Sequence, residues 1–168
     1  ASDFLGRRGW YVGTLGHGHP GKVHEAGLTT PDAVTVQRRL AEARDAGAST
    51  LGLEVSSHAL DQDRVAGVNF DTAVFTNLTR DHLDYHGTLE AYGAAKTRLF
   101  HAPGLRCAVI NVRDPFGREL VERLDPALEK IVYTTANDVW AERGTGWIRV
   151  PELRATAAGL TISVETSW

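Results

Sequence analysis

The chain has 168 residues, 42% of them apolar and 23% charged, which suits one hydrophobic core and excludes a disordered, collagen-like or coiled-coil molecule. Eighteen Lys and Arg against 21 Asp and Glu give a net charge of -3, which argues against nucleic-acid binding through bulk positive charge and leaves room for a local anion site. No apolar run approaches the roughly 18 residues of a membrane span, ASDFLGRRGWYVG lacks a signal-peptide layout, and Cys107, the single cysteine, excludes an internal disulfide and fits a reducing compartment.

In chain order, the first distinctive segment is the glycine-rich Gly13 to Gly21, GTLGHGHPG. It fits neither G-x-x-x-x-G-K-[ST] nor G-x-G-x-x-G, and it reads as a flexible loop. Thr30 as N-cap and Pro31 at the first helical position predict a helix over 31–46, stopped by Gly47. TLGLEVS, from Thr50 to Ser56, predicts a buried strand, as does TAVFT from Thr72 to Thr76. A helix follows over Thr88 to Phe100, then a strand over Cys107 to Asn111. Asp114 and Pro115 repeat the cap-plus-proline signature for a helix to Leu124, and Lys130 to Thr134 predicts another strand. Alternating strands and helices imply an α/β fold with an open, mainly parallel sheet flanked by helices. Ligands of such sheets gather beyond the carboxyl ends of the strands. The final stretch alternates polar and apolar residues through Leu160, Ile162 and Val164 around a Gly turn, predicting a small antiparallel hairpin. The expected organisation is an α/β core over 1–135 and a small β portion of the same domain over 136–168.

Three places carry candidate chemistry. The first strand ends in Glu54-Val55-Ser56-Ser57-His58, a carboxylate, two hydroxyls and an imidazole at the ligand edge of the sheet. The second runs on into Thr76-Asn77-Leu78-Thr79-Arg80-Asp81-His82-Leu83-Asp84-Tyr85-His86-Gly87. His82 and His86 would share a helical face, but H-x-x-x-H without an intervening Glu is a weak zinc signal, and a hard cation such as Mg²⁺ asks for fewer protein ligands. In the next helix Tyr92, Lys96, Leu99 and Phe100 fall on one face, which sets Lys96 within an apolar stripe. Such a lysine either snorkels to water or is a desolvated, nucleophilic amine able to take up CO₂ as a carbamate, and spacing leaves both open. Thr29 and Thr30, at a helix N-terminus, serve either as an anion cradle or as simple caps.

The order of these segments is more specific than any one of them. EVSSHALDQDRVAG, FTNLTRDHLDYHGTLEAYGAAKTRLF and INVRD together closely resemble the central domain of the Mur ligases, from about Tyr11 through Asp114 and more loosely to Trp168. Within that family the likeness is greatest to the ATP-dependent ligases that add the third amino acid to the UDP-N-acetylmuramoyl-dipeptide of peptidoglycan precursors. The resemblance implies a P-loop NTPase-like fold, ATP and Mg²⁺ as cofactors, and an acyl-phosphate route to an amide bond. Its magnesium-ligand glutamate matches Glu54, the histidine of its DH-x-D motif matches His82, and its carbamylated lysine falls on Lys96. These three are the implied catalytic and metal residues. The muramoyl-dipeptide contacts fall on Thr29, Thr30, Ser56, Gln62 and Arg64, and a nucleotide contact falls on Asn111.

This chain departs from the family in several respects. The phosphate loop G-T-x-G-K-T is expected just before Ala1, the chain lacks Met even at position 1, and the amino-acid-selecting C-terminal domain is expected beyond Trp168. Leu28 stands where the family commonly has Asn, and Asn111-Val112-Arg113-Asp114 where it has N-A-D-D. The resulting expectation is a piece of a cytoplasmic ligase, inactive alone, that adds meso-diaminopimelate or lysine. A second reading is a UDP-muramoyl-peptide-binding module that lost its ATP site. A third is a metal-dependent hydrolase using His82, Asp84 and His86.

Overall fold

The computed structural model describes residues 6–25, 27–135, 146–156 and 159–168. They form two compact units, one ending at Val68 and the other running Asn69–Trp168.

The first unit holds β1 (Gly9–Gly13), β2 (Gly16–His19), β3 (Lys22–His24), α1 (Ala33–Asp45), β4 (Thr50–Leu53) and α2 (Ser57–Asp61). Its sheet has the order β3-β2-β1-β4, with β4 parallel to β1 and the other neighbours antiparallel. The glycine-rich segment expected to be a loop is therefore a ribbon. Its glycines serve close backbone approach: Gly16 has φ +117, and a Cβ there would collide with the His24 carbonyl. A second correction concerns the start of α1. The N-cap is Asp32, not Thr30, and its carboxylate accepts from the Thr35 amide at 3.0 Å and the Thr35 hydroxyl at 2.7 Å. Pro31 thus lies outside the helix, and the carboxylate takes one of the backbone N–H groups left free at the helix N-terminus. At the other end Gly47 adopts φ +73 as expected of a stop residue.

The strand β4 ends at Leu53, three residues earlier than expected, because the Ser56 hydroxyl is recruited as N-cap of α2, accepting from the Ala59 amide at 3.2 Å.

The second unit comprises β5 (Thr72–Phe75), α3 (Leu83–His86), α4 (Leu89–Thr97), a 3₁₀ turn (Arg98–His101), β6 (Cys107–Asn111), α5 (Pro115–Arg123), β7 (Glu129–Thr134), β8 (Gly146–Thr156) and β9 (Gly159–Thr166). Its five strands lie in chain order, parallel from β5 to β8, with β9 antiparallel to β8. This is the mainly parallel, helix-flanked sheet with an antiparallel end that the pattern predicts. The single sheet expected for the whole chain is instead two.

A core of Ala73, Phe75, Phe100, Ala108, Ile110, Val112, Leu120, Leu124 and Val132 fills this unit. Asp114 caps α5 from outside, accepting from the Phe116 amide at 2.9 Å, with Pro115 at the first helical position. In the β8–β9 hairpin Leu153 lies opposite Ile162 and Ala155 opposite Leu160. That apolar stripe is exposed, Leu160 at 57%. The expected boundary at 135/136 adjoins residues 136–145, which lie outside the described residues.

Candidate functional site

The parallel pairing of β1 with β4 sets Val12 opposite Leu53 and carries Glu54 to the end of both strands, where its amide donates to the Val12 carbonyl at 2.8 Å. There its carboxylate accepts three hydrogen bonds: from the Tyr11 phenol at 2.7 Å, the Thr14 amide at 2.9 Å and the Thr14 hydroxyl at 2.6 Å. Burial pushes the Glu54 carboxyl up, but the bonds from Thr14 and Tyr11 outweigh it and hold the group below its ordinary value. Burial and the same carboxylate raise the Tyr11 phenol. Gly13 is part of this arrangement, since a Cβ on it would lie 2.6 Å from Glu54 Cδ.

The Thr14 hydroxyl has one proton and gives it to the carboxylate, so in its 3.0 Å contact with Thr29 the Thr29 hydroxyl is the donor. Thr30, 1% exposed, donates to the Glu54 carbonyl at 2.8 Å and accepts from the Ser56 amide at 2.9 Å. Arg64 Nη1 donates to the Thr30 carbonyl at 2.9 Å, while Nε and Nη2 both reach Gln62 Oε1, at 2.9 and 2.6 Å. Arg64 also lines a cavity of about 450 Å³ with Leu28, Pro31, Asp32, Thr35 and Arg39 among its walls. Thr29, Thr30, Glu54, Ser56, Gln62 and Arg64 are thus one hydrogen-bonded assembly within the first unit. Tyr11 and Thr14, which complete it, went unnoticed in the sequence. The signal was available: Thr14 immediately follows a short apolar segment that ends where a neighbouring parallel strand ends.

In the second unit the polar cluster is organised by one ring. Tyr92 is buried, His86 stacks on it with centroids 5.2 Å apart, and His82 meets it edge-on at 5.8 Å. The Lys96 ammonium sits 5.0 Å from the centre of the same ring. Burial draws the Lys96 amine below the usual lysine range, against the opposing pull of Asp114 and Asp81. His82 holds a left-handed backbone, φ 55 and ψ 24, with its amide bonded to Asp81 Oδ1 at 2.8 Å. Asn111 is engaged locally: its amide nitrogen donates to the Thr76 carbonyl at 2.7 Å and its oxygen accepts from the Arg113 amide at 3.0 Å. Asp114 is likewise committed, accepting from the Leu78 amide at 2.7 Å as well as capping α5.

The donor set suits a hard cation better than zinc. Glu54 is an ionised carboxylate with lone-pair capacity beyond its three donors, whereas no group of three or more His, Cys, Asp or Glu able to hold a metal occurs among the described residues. No helix among the described residues is long and apolar enough to cross a membrane.

The Mur ligase middle domain model matches residues 1–166. The UDP-N-acetylmuramoyl-L-alanyl-D-glutamate–2,6-diaminopimelate ligase of Chromobacterium violaceum is 50% identical over 168 residues, all of this chain and 33% of that protein. The ligase of the same name from Neisseria meningitidis serogroup B is 48% identical over 169 residues, again covering 100% of this chain and 33% of its own length. A solved structure of a ligase with that name superposes with a TM-score of 0.81 and 33% identity, covering 96% of this chain and 32% of the other. The chain spans about a third of the length of these relatives. With half its residues shared from end to end, the chain belongs to the Mur ligase family and corresponds to its middle domain.

Proposed function

We propose that this chain is the ATP-using domain of a MurE-type ligase that adds meso-diaminopimelate to UDP-N-acetylmuramoyl-L-Ala-D-Glu. The end-to-end identity to ligases of that name carries the reading, and the geometry of both units supports it.

In this mechanism the γ-phosphoryl group of ATP passes to the terminal carboxylate of the dipeptide. The incoming amine then attacks the acyl phosphate carbon, forming the amide C–N bond and losing a proton, while the C–O bond to the phosphoryl group breaks and inorganic phosphate departs. Arg64, Gln62, Ser56 and Thr29 orient the anionic dipeptide, while buried Thr30 acts behind them by holding the Glu54 carbonyl and the Ser56 amide in place; the Arg64 guanidinium supplies the positive charge and the hydroxyls of Ser56 and Thr29 supply direction. Glu54 in the first unit, and His82 and a carbamylated Lys96 in the second, are each assigned as Mg²⁺ ligands; Mg²⁺, when bound, would neutralise charge on the transferring phosphoryl group. For that role Lys96 must change sign. Its neutral amine adds to the carbon of CO₂, a C–N bond forms, one proton leaves, and a cation becomes a carboxylate-like anion. A desolvated amine is the form this addition requires, and burial of Lys96 favours it. Asn111 is assigned to the nucleotide, through whichever of its polar atoms is freed from Thr76 and Arg113.

The test is a ligase assay on the polypeptide that carries this chain as its middle domain. ATP, Mg²⁺, the UDP-muramoyl-dipeptide and meso-diaminopimelate should yield ADP, phosphate and the tripeptide product, with L-lysine a poor replacement. The 168-residue chain alone should give no turnover. Amide formation by the chain alone, or a preference for lysine, would contradict the respective part. A second reading is a muramoyl-peptide-binding module without catalytic function, whose assigned contacts Thr29, Thr30, Ser56, Gln62 and Arg64 all belong to the first unit. Tight binding of the UDP-sugar dipeptide by a polypeptide that cannot hydrolyse ATP would favour that alternative.

A further inference from the structure

The β2–β3 hairpin holds a pair of histidines that the proposed ligase mechanism does not use. The register places His17 directly opposite His24, so both side chains leave the same face of the ribbon. Their ring centroids are 5.7 Å apart and their planes tilt by 34°, neither stacked flat nor edge-on. His17 Nδ1 is shielded from solvent and has no hydrogen-bond partner, an unusual state for a buried imidazole nitrogen. His24 lies in a fully exposed edge strand of three residues, so the pair is open to solvent from one side.

Two facing imidazoles, one with a nitrogen lacking a partner, are what a borderline-soft cation seeks. We propose that His17 and His24 form a two-imidazole site for a late first-row divalent metal ion, Zn²⁺, Ni²⁺ or Cu²⁺, with water completing its coordination. The site is independent of any Mg²⁺ needed for phosphoryl transfer, because a hard cation prefers oxygen ligands. The nearby Arg39 guanidinium is paired with Glu42, at 2.8 and 2.9 Å. A bound ion would clip β3, the exposed edge, to β2, so metal should stabilise the folded chain.

The experiment is calorimetric titration of the untagged 168-residue chain with ZnCl₂ and NiCl₂ at neutral pH, beside thermal unfolding with and without the ions. One saturable site is expected, with a rise in Tm of at least about 3 °C in excess metal. His24→Gln, at an exposed position, should fold normally, lose affinity at least about tenfold and lose the Tm rise. MgCl₂ should give no binding at this pair. His82→Gln with His86→Gln, the other histidine pair, should leave the high-affinity site intact. Unchanged affinity in His24→Gln, absence of a saturable site in the wild type, or loss of the site only in the His82/His86 variant would each overturn the proposal.

Discussion

Glu54 shows how three donated hydrogen bonds fix the charge of one side chain. The bonds from Tyr11 and Thr14 satisfy the carboxylate only in its ionised form, which is why its carboxyl lies below the ordinary value despite burial. Because the folded value is the lower one, the stabilisation is present above the unfolded value, near about 4.3, and is lost as pH falls through the folded value. Urea midpoints taken from about pH 6 down to about pH 3 should therefore fall more steeply for the wild type than for Glu54→Gln; parallel curves would refute the assignment. Lys96 shows the same direction of linkage from the opposite cause, since burial disfavours its charged form. Its folded value is depressed, so the unfolded chain holds the proton more strongly and stability rises with pH across the interval between the two. Lys96→Met should keep or raise the urea midpoint at neutral pH while abolishing ¹³C-bicarbonate labelling and ligase activity of the full-length enzyme. A wild type that takes up no label would remove the carbamate from the mechanism. The stripe of Tyr92, Lys96 and Phe100 was legible as helical spacing, but its meaning was not. Spacing says that a lysine faces apolar neighbours; only the coordinates say that it rests over the Tyr92 ring.

At the scale of elements, the capped helices were the readable part. Asp114 followed by Pro115 predicts the start of α5, and Gly47 the end of α1, because each carries a backbone requirement that few residue types meet. The start of α1 was misjudged since Thr30 and Asp32 are both good caps. Thr30 is instead spent inside the sheet edge, between the Glu54 carbonyl and the Ser56 amide. The β1–β3 ribbon was hidden for a different reason. Glycines usually punctuate strands, yet here they let neighbouring backbone and side chains approach. Gly13 illustrates the cost of filling such a space. Gly13→Ala would press a methyl group against the Glu54 carboxylate and the Tyr11 ring. It should destabilise the chain by about 2 kcal/mol in urea unfolding. A loss below about 0.5 kcal/mol would mean that the Glu54 cluster yields easily and is not the rigid platform described above.

For the whole molecule, the alternation of strands and helices correctly predicts a parallel sheet with an antiparallel end, as β5 to β9 form. It did not reveal that the strands divide between two sheets. Periodicity reports which faces of a strand are buried, not which edge meets which neighbour. The order of the second sheet follows the chain, so its middle strands gain protection from both sides and from the core beneath. Ala108 and Ile110 of β6 and Val132 of β7 are almost fully enclosed, whereas every residue of β9 is exposed. That gradient sets a clock for deuterium uptake. Amides of β6 should exchange slowest, reporting global opening, while those of β9 and β3 should exchange fastest through local fraying. Mass-spectrometric exchange in which β9 outlasted β6 would show that the hairpin's apolar face is covered in solution.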